Sequence, residues 1–412
     1  MRVINDAPEP LLQKRALHDN ISSVILIALL ILSLLLRLWQ IGLPDTQVFD
    51  EYYYVPLAES FLKGQPESPL HPPLGPYLIS LSMRIFGADA AGYRVFSAIA
   101  GTLALLFTYM MILRLTGKRW QALLGTFLIS FDCLHFVMSR LAMLDIYLLL
   151  FITAAMAVFL SSINAAARLT VCGILLGLAA LVKWTAIPFI AVLTLFSAWS
   201  EARSPSTKSP VHGIARALLI PLFSLLIYMS LYCMLLRVHT PGEFFSAQRS
   251  MLCYHLQHVE NREQIASPWW SWLVLQEPLR VYERRFTSHG ETVASKEVQV
   301  RGTPPFWYMA LFGFLLAAFN ACRRRDYSSA LMVSLFLSLL VPWAFVKRPA
   351  YLFYCLPLLP FMAYFTVSAL NCLSDDRGGR IAIALYCIVT ALSFAMYYPA
   401  LTAADMQPPL LH

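Results

Sequence analysis

Apolar runs of about 20 residues recur along this chain from one end to the other, and that pattern fixes its solvent. A helix rises 1.5 Å per residue, so about 20 apolar residues cross a hydrocarbon layer roughly 30 Å thick. Counted this way, the sequence predicts about 11 membrane-spanning helices. They fall near residues 22–41, 93–113, 121–138, 143–163, 169–184, 186–200, 216–236, 305–321, 328–345, 351–371 and 381–399. The division at 184–186 is the least sharp, because Lys183, Trp184 and Pro188 interrupt one long apolar tract. Charged residues make up only 13% of the chain, against roughly 25% in a soluble domain. The expected fold class is all-α integral membrane: a multi-span helical bundle forming a single transmembrane domain over residues 1–412.

The net charge of +8 would raise nucleic acid as a partner in a soluble protein. Here Lys and Arg fall in short gaps between apolar runs, where they set topology, and no nucleic-acid partner is expected. With the N-terminus in the cytoplasm, the loops holding Lys118–Arg119, Arg168, Arg203–Lys208–Arg216, Arg323–Arg325 and Arg377–Arg380 all face the cytoplasm. The odd number of spans then puts the C-terminus outside. Arg2, Lys14, Arg15 and Arg37 surround the apolar run from Ile21 to Leu36, and no small-residue cleavage site follows it. That run reads as the first membrane helix and not as a cleaved signal. The 8 cysteines show no C-x-x-C spacing, and most sit in apolar stretches as small fillers.

Two longer segments, 44–92 and 237–304, then face outward, and their aromatics suit the headgroup zone as partly helical interfacial segments. The first carries Asp50–Glu51 in VFDEYYY. Desolvation beside aromatics raises a carboxylate pKa and makes it a better base, while two solvated loop acids is the plainer reading. HPPLGPY follows, where consecutive prolines stiffen the backbone and Gly75 permits a sharp turn, so that a rigid loop presents His71 and Tyr77. In SRLAMLD, Arg140 has the planar fork of donors that clamps a phosphate; the alternative is a snorkelling Arg140 paired with Asp145. Lys183 lies near the outer end of its span. Lys347 and Arg348 stand outside against the charge rule, as phosphate contacts or interfacial anchors. A carboxylate pair and several cations on one membrane face suit transfer of a group from an anionic lipid carrier.

The ordered set VFDEYYY, HPPLGPY, YRVFSAIAG, SRLAMLD and LVKWTAIP, over roughly Phe49 to Pro188, resembles the bacterial branch of the dolichyl-phosphate-mannose–protein mannosyltransferases. A weaker likeness resumes at PWWSWLVLQEPLRVY and VKRPAYLFYCLPLLPF. The resemblance implies a GT-C fold with its active site facing away from the cytoplasm. It also implies inverting transfer of a sugar, usually mannose, from a polyprenyl-phosphate donor to a Ser or Thr hydroxyl of an exported protein. By position, Asp50 is then the catalytic acidic residue, the base for the acceptor hydroxyl, and Glu51 its partner at the acceptor. Arg140 becomes the phosphate-side arginine, with Lys183, Lys347 and Arg348 as further donor-phosphate cations. His71 and Tyr77 belong to the active-site loop. Two positions depart from the family pattern: Pro76 replaces a lysine after HPPLG, and Met138 replaces a glutamine before SR. No cofactor is expected, and two adjacent acids alone make a poor metal site; a divalent-metal requirement stays open. The alternatives are a related transferase acting on a lipid or glycan, of the aminoarabinose–lipid A type, and a membrane transporter. The expected location is the inner (plasma) membrane.

Overall fold

The computed structural model describes residues 9–67, 70–203, 209–256, 266–288, 291–346 and 349–403. The described chain is a helical bundle. Helix α1 (Glu9–Leu38) leads into α2 (Glu51–Leu62) and α3 (Leu74–Phe86), both short and both within the 44–92 segment. There follow α4 (Val95–Thr116), α5 (Arg119–Ser130), α6 (Cys133–Met138), α7 (Leu144–Phe159), α8 (Ala165–Val182) and α9 (Ala186–Ala202). Next come α10 (Pro210–Ala217), α11 (Leu219–Leu236) and α12 (Pro241–Leu256). An antiparallel hairpin, β1 (Leu279–Ser288) and β2 (Glu291–Val300), precedes α13 (Pro304–Arg323), α14 (Tyr327–Leu340), α15 (Leu359–Leu370) and α16 (Arg377–Thr402).

Every apolar run picked out in the sequence is helical. Eight helical stretches among the described residues are long and apolar enough to cross a membrane. The others fall short for physical reasons. Helices α7 and α9 have 16 and 17 residues. The predicted span 121–138 is broken at Phe131–Asp132 into α5 and α6. Asp132 causes the break. Its side chain caps α6 by accepting from the His135 N–H at 3.0 Å, and it also accepts from the Thr303 N–H at 3.0 Å and the Trp307 indole at 2.8 Å. A carboxylate buried here is tolerable because each of those donors answers it.

Leucines, isoleucines and valines cover the outward faces of α1, α11 and α16, an apolar surface too extensive for water but suited to lipid. Between α8 and α11 the contact is backbone to backbone. A Cβ at Gly173 would lie 2.7 Å from the Ile220 carbonyl oxygen, and one at Gly177 would lie 2.7 Å from that of Ser224. This is the small-xxx-small packing that lets membrane helices approach closely, and the Ser224 hydroxyl seals it by donating to the Gly173 carbonyl at 2.9 Å.

The hairpin is the departure from an all-helical plan. Its strands pair from Leu279↔Val300 to Ser288↔Glu291. Leu279, Val298 and Val300 are buried, and the Ala403 N–H after α16 donates to the Glu297 carbonyl at 3.2 Å.

Candidate active site

The two adjacent acids after α1 have opposite fates. Glu51 is fully buried in an ion pair with Arg94, itself fully buried. Arg94 donates from Nε to Glu51 Oε1 at 2.9 Å and from Nη2 to Oε2 at 2.7 Å. Its remaining N–H groups reach the carbonyls of Ile41, Pro44 and Thr46 at 2.9–3.1 Å. Glu51 in turn accepts from the Val48 N–H at 2.9 Å and the Ala142 N–H at 2.7 Å. Both carboxylate oxygens are therefore occupied. Glu51 fastens the α1–α2 loop to the start of α4 and to the turn before α7, and its carboxylate is turned inward to these donors, in contrast to the acceptor-side role that the family resemblance implies. Arg94, in YRVFSAIAG, is the residue that reading passes over; the motif is its signal.

Asp50 is the half-buried N-cap residue of α2, and its side chain makes no capping bond. Phe49 before it has φ +50°, a left-handed backbone costing a non-glycine residue roughly 1–2 kcal/mol. Aromatic packing holds that turn: the Phe49 ring lies edge-on to Tyr351 at 5.4 Å and to Phe353 at 5.7 Å. One helical turn on, the Tyr54 side chain is buried, and its hydroxyl is pushed well above the usual phenol range. Burial is the main cause, followed by the charges of Asp50 and Asp145. Tyr54 thus stands within electrostatic reach of both carboxylates.

Among the described residues, Lys183 is the cation of the sequence reading that stands beside these groups, and it is held by Asp145. Lys183 donates to its two oxygens at 2.9 and 3.1 Å, with both residues buried. The Lys183 ammonium also lies 4.4 Å from the centre of the Tyr354 ring. Lys183 stands where α8 ends, in extended backbone, and the chain reverses there into α9. That break in the helix aims the ammonium at Asp145 and not into lipid.

Arg140 is not placed as a phosphate clamp, nor does it pair with Asp145. Its guanidinium caps the C-terminal end of α1, donating to the carbonyls of Arg37, Trp39 and Gln40 at 2.6–2.9 Å. A helix end leaves four carbonyls without partners, and an arginine answers several at once. Arg37, fully buried, bonds Ser33 and contacts His135 Nδ1 at 2.8 Å. Both guanidiniums flank the Phe136 ring, at 5.6 and 5.4 Å. Arg140→Lys is therefore expected to cost about 2 kcal/mol of stability, read as thermal unfolding in detergent, with donor affinity unchanged. Weaker donor binding at unchanged stability would return Arg140 to the phosphate.

HPPLGPY opens α3 instead of forming a free loop. Gly75 serves a close approach and not a turn: a Cβ there would lie 2.2 Å from a methyl carbon of Leu144. His71 precedes the helix and is half-buried, its ring 6.3 Å from that of Tyr54. Tyr77 packs edge-on against Phe61 at 5.6 Å, between α3 and α2. Lys347 and Arg348 lie outside the described residues. Asp50, Tyr54, His71, Asp145, Lys183 and Tyr354 thus come together at one end of the bundle, and among the described residues no cluster of three or more metal-ligating side chains occurs.

Residues 27–239 match the family model described as "Dolichyl-phosphate-mannose-protein mannosyltransferase". A polyprenol-phosphate-mannose–protein mannosyltransferase of Mycolicibacterium smegmatis is 24% identical over 90% of this chain and 87% of its own length. One from Corynebacterium glutamicum is 26% identical over 77% and 75%. Among solved structures, the Saccharomyces cerevisiae protein O-mannosyltransferase complex bound to the sugar donor superposes with a TM-score of 0.78 at 13% identity, covering 93% of this chain and 90% of that one. ArnT from Cupriavidus metallidurans bound to undecaprenyl phosphate gives 0.62 at 15% identity, covering 93% and 76%.

Proposed function

This chain belongs to the dolichyl-phosphate-mannose–protein mannosyltransferase family and is a multi-pass membrane glycosyltransferase of GT-C fold, and from that premise we propose how its own residues serve the transfer. Mannose passes from a polyprenyl-phosphate carrier to a Ser or Thr hydroxyl of an exported protein. The carrying observation is the grouping of Asp50, Tyr54 and the Lys183–Asp145 pair at a single end of the bundle. The hydroxyl oxygen attacks the anomeric carbon from the face opposite the phosphate. The bond from that carbon to the phosphate oxygen breaks, and the electron pair leaves with the lipid phosphate. Asp50 takes the hydroxyl proton. A lipid phosphate leaves without a strong general acid once its charge is held, so one base and one cation suffice. Lys183 is the cation at hand, and Asp145 holds it in place among aromatic rings. Lys347 and Arg348 serve as further phosphate contacts.

The site end is assigned to the extracytoplasmic side. Helix α4 runs from buried Arg94 to the Lys118–Arg119 loop, α8 from Arg168 to Lys183, and α13 from Thr303 to Arg323–Arg325. In each, the basic loop lies at the end of the helix remote from the site. The positive-inside rule then gives a cytoplasmic N-terminus with the site facing out, and a plasma-membrane location with about 11 crossings belongs to the same proposal.

The test uses the full chain in proteoliposomes with polyprenyl-phosphate-mannose and a Ser/Thr-rich peptide, read by intact-mass spectrometry. One hexose added to the peptide, lost when its hydroxyl residues become alanine, is expected. Mannose appearing only on a lipid acceptor supplied in parallel would move the chain to the lipid-acceptor class.

A further inference from the structure

Helix α12 lies beyond the residues matched by the family model, yet its last turn reaches the site. It is firmly seated. Phe244 is buried edge-on to Tyr232 at 5.4 Å, and Met251 is buried as well. Gln248 accepts from the Tyr228 hydroxyl at 2.6 Å, and that hydroxyl accepts from the Trp184 indole at 2.9 Å. The helix is thereby tied to the residue next to Lys183. At its C-terminal end, the His255 ring stands 4.9 Å from His71 and 6.1 Å from Trp184. His255 Nε2 lies 3.0 Å from the Leu70 carbonyl. A carbonyl only accepts, so Nε2 carries the proton and donates it.

The rings Tyr54, His71, His255 and Trp184 thus form a continuous series, each 4.9–6.3 Å from the next. Tyr54 lies one turn from Asp50 at one end, and Trp184 adjoins Lys183 at the other. In a displacement at the anomeric carbon the sugar lies between the phosphate and the attacking hydroxyl, which here means between the cation and the base. Of the rings in this series, His71, His255 and Trp184 are partly exposed and can meet a sugar, whereas Tyr54 is buried. A hexose offers such a surface its C–H face.

We propose that His255 is a specificity-determining residue for the donor sugar, completing with His71 and Trp184 the ring wall against which the hexose lies. The proposal rests on the mannosyl-transfer reading. Its test is therefore staged, with the full chain in nanodiscs, one Ser/Thr peptide, and polyprenyl-phosphate-mannose compared with polyprenyl-phosphate-glucose. Absence of mannose transfer by the wild type would sink the transfer reading itself. With wild-type transfer in hand, three variants decide the role of His255. His255→Ala is expected to raise the donor KM about five- to tenfold, with kcat unchanged and the mannose-over-glucose preference reduced. His255→Phe keeps a ring without the bond to Leu70 and is expected to retain the wild-type KM and preference. His255→Gln keeps a donor for Leu70 without a ring and is expected to behave as the alanine variant. The reverse order, with Gln active and Phe impaired, would make His255 a latch for the 70–73 turn and overturn the proposal. An unchanged donor KM and sugar preference in His255→Ala would overturn it too. If the alanine variant fails to fold, the Phe and Gln pair still separates the two roles.

Discussion

Asp50→Asn is expected to lower mannose transfer by at least about 100-fold while the protein inserts, folds and binds its lipid donor normally. Ser and Thr hydroxyls are weak nucleophiles at neutral pH, and the proton must leave as the new bond forms. Removing a positioned base typically costs about 10²–10⁴ in rate. The structure supplies the reason why the loss should be confined to chemistry. The Asp50 carboxylate makes no capping hydrogen bond to α2, so the substitution removes no cap from that helix. The left-handed turn at Phe49 is held by Tyr351 and Phe353, which the substitution leaves alone. Asn keeps the size and polarity of the side chain and loses only its basicity. Single-turnover transfer with saturating donor, paired with a donor-binding titration, makes the measurement. Near wild-type turnover would remove Asp50 from the base role and leave the reaction to another acid.

The bundle was legible in the sequence because membrane insertion leaves a one-dimensional signature. A run of about 20 apolar residues is both a composition and a length, and each such run is helical here apart from the break at Phe131–Asp132. What the pattern could not reveal lies where polar groups override it. The span at 121–138 reads as unbroken because Asp132 is a single acid in an apolar tract; only the Thr303 and Trp307 donors, 171 and 175 residues away, make its burial sensible. The hairpin at 279–300 is equally hidden, since LRVYERRF alternates too briefly to stand out from an interfacial loop.

The site divides along the same line. Local sequence pointed to Asp50 and Glu51 together, because adjacent acids look alike on paper. Which of them is spent on structure depends on Arg94, 43 residues away in the chain. Arg140 looked like a phosphate ligand for the same reason: nothing nearby in sequence shows that the carbonyls at the end of α1 need a donor. Asp145 and Lys183 each drew attention as charges at helix boundaries, and their partnership across 38 residues emerges only in the fold. His255 carries no sequence signal, standing as one histidine in α12, whose docking on Tyr228 and Trp184 brings it to the site.

The buried Glu51–Arg94 pair sets up the second large effect, and it runs against the mild phenotype that adjacency to Asp50 would suggest. Glu51→Gln leaves a fully buried guanidinium without its counter-charge. Removing one partner of a buried pair costs about 3–5 kcal/mol, a large part of the roughly 5–15 kcal/mol that holds a typical protein folded. Arg94 would still bond three carbonyls, but Val48, Ala142 and the guanidinium would all have to share a single amide oxygen. The α1–α2 loop should loosen and carry Asp50 out of register. The expected result is a markedly lower unfolding temperature in detergent, reduced yield of monodisperse protein, and loss of transfer that follows loss of fold. Arg94→Met should match it, since the orphaned carboxylate is no easier to bury. Combining the two should cost less than the sum of the single changes, because neither charge is then left facing an empty partner. A Glu51→Gln protein of wild-type stability, impaired only in its KM for the acceptor peptide, would refute this and give Glu51 back its place at the acceptor.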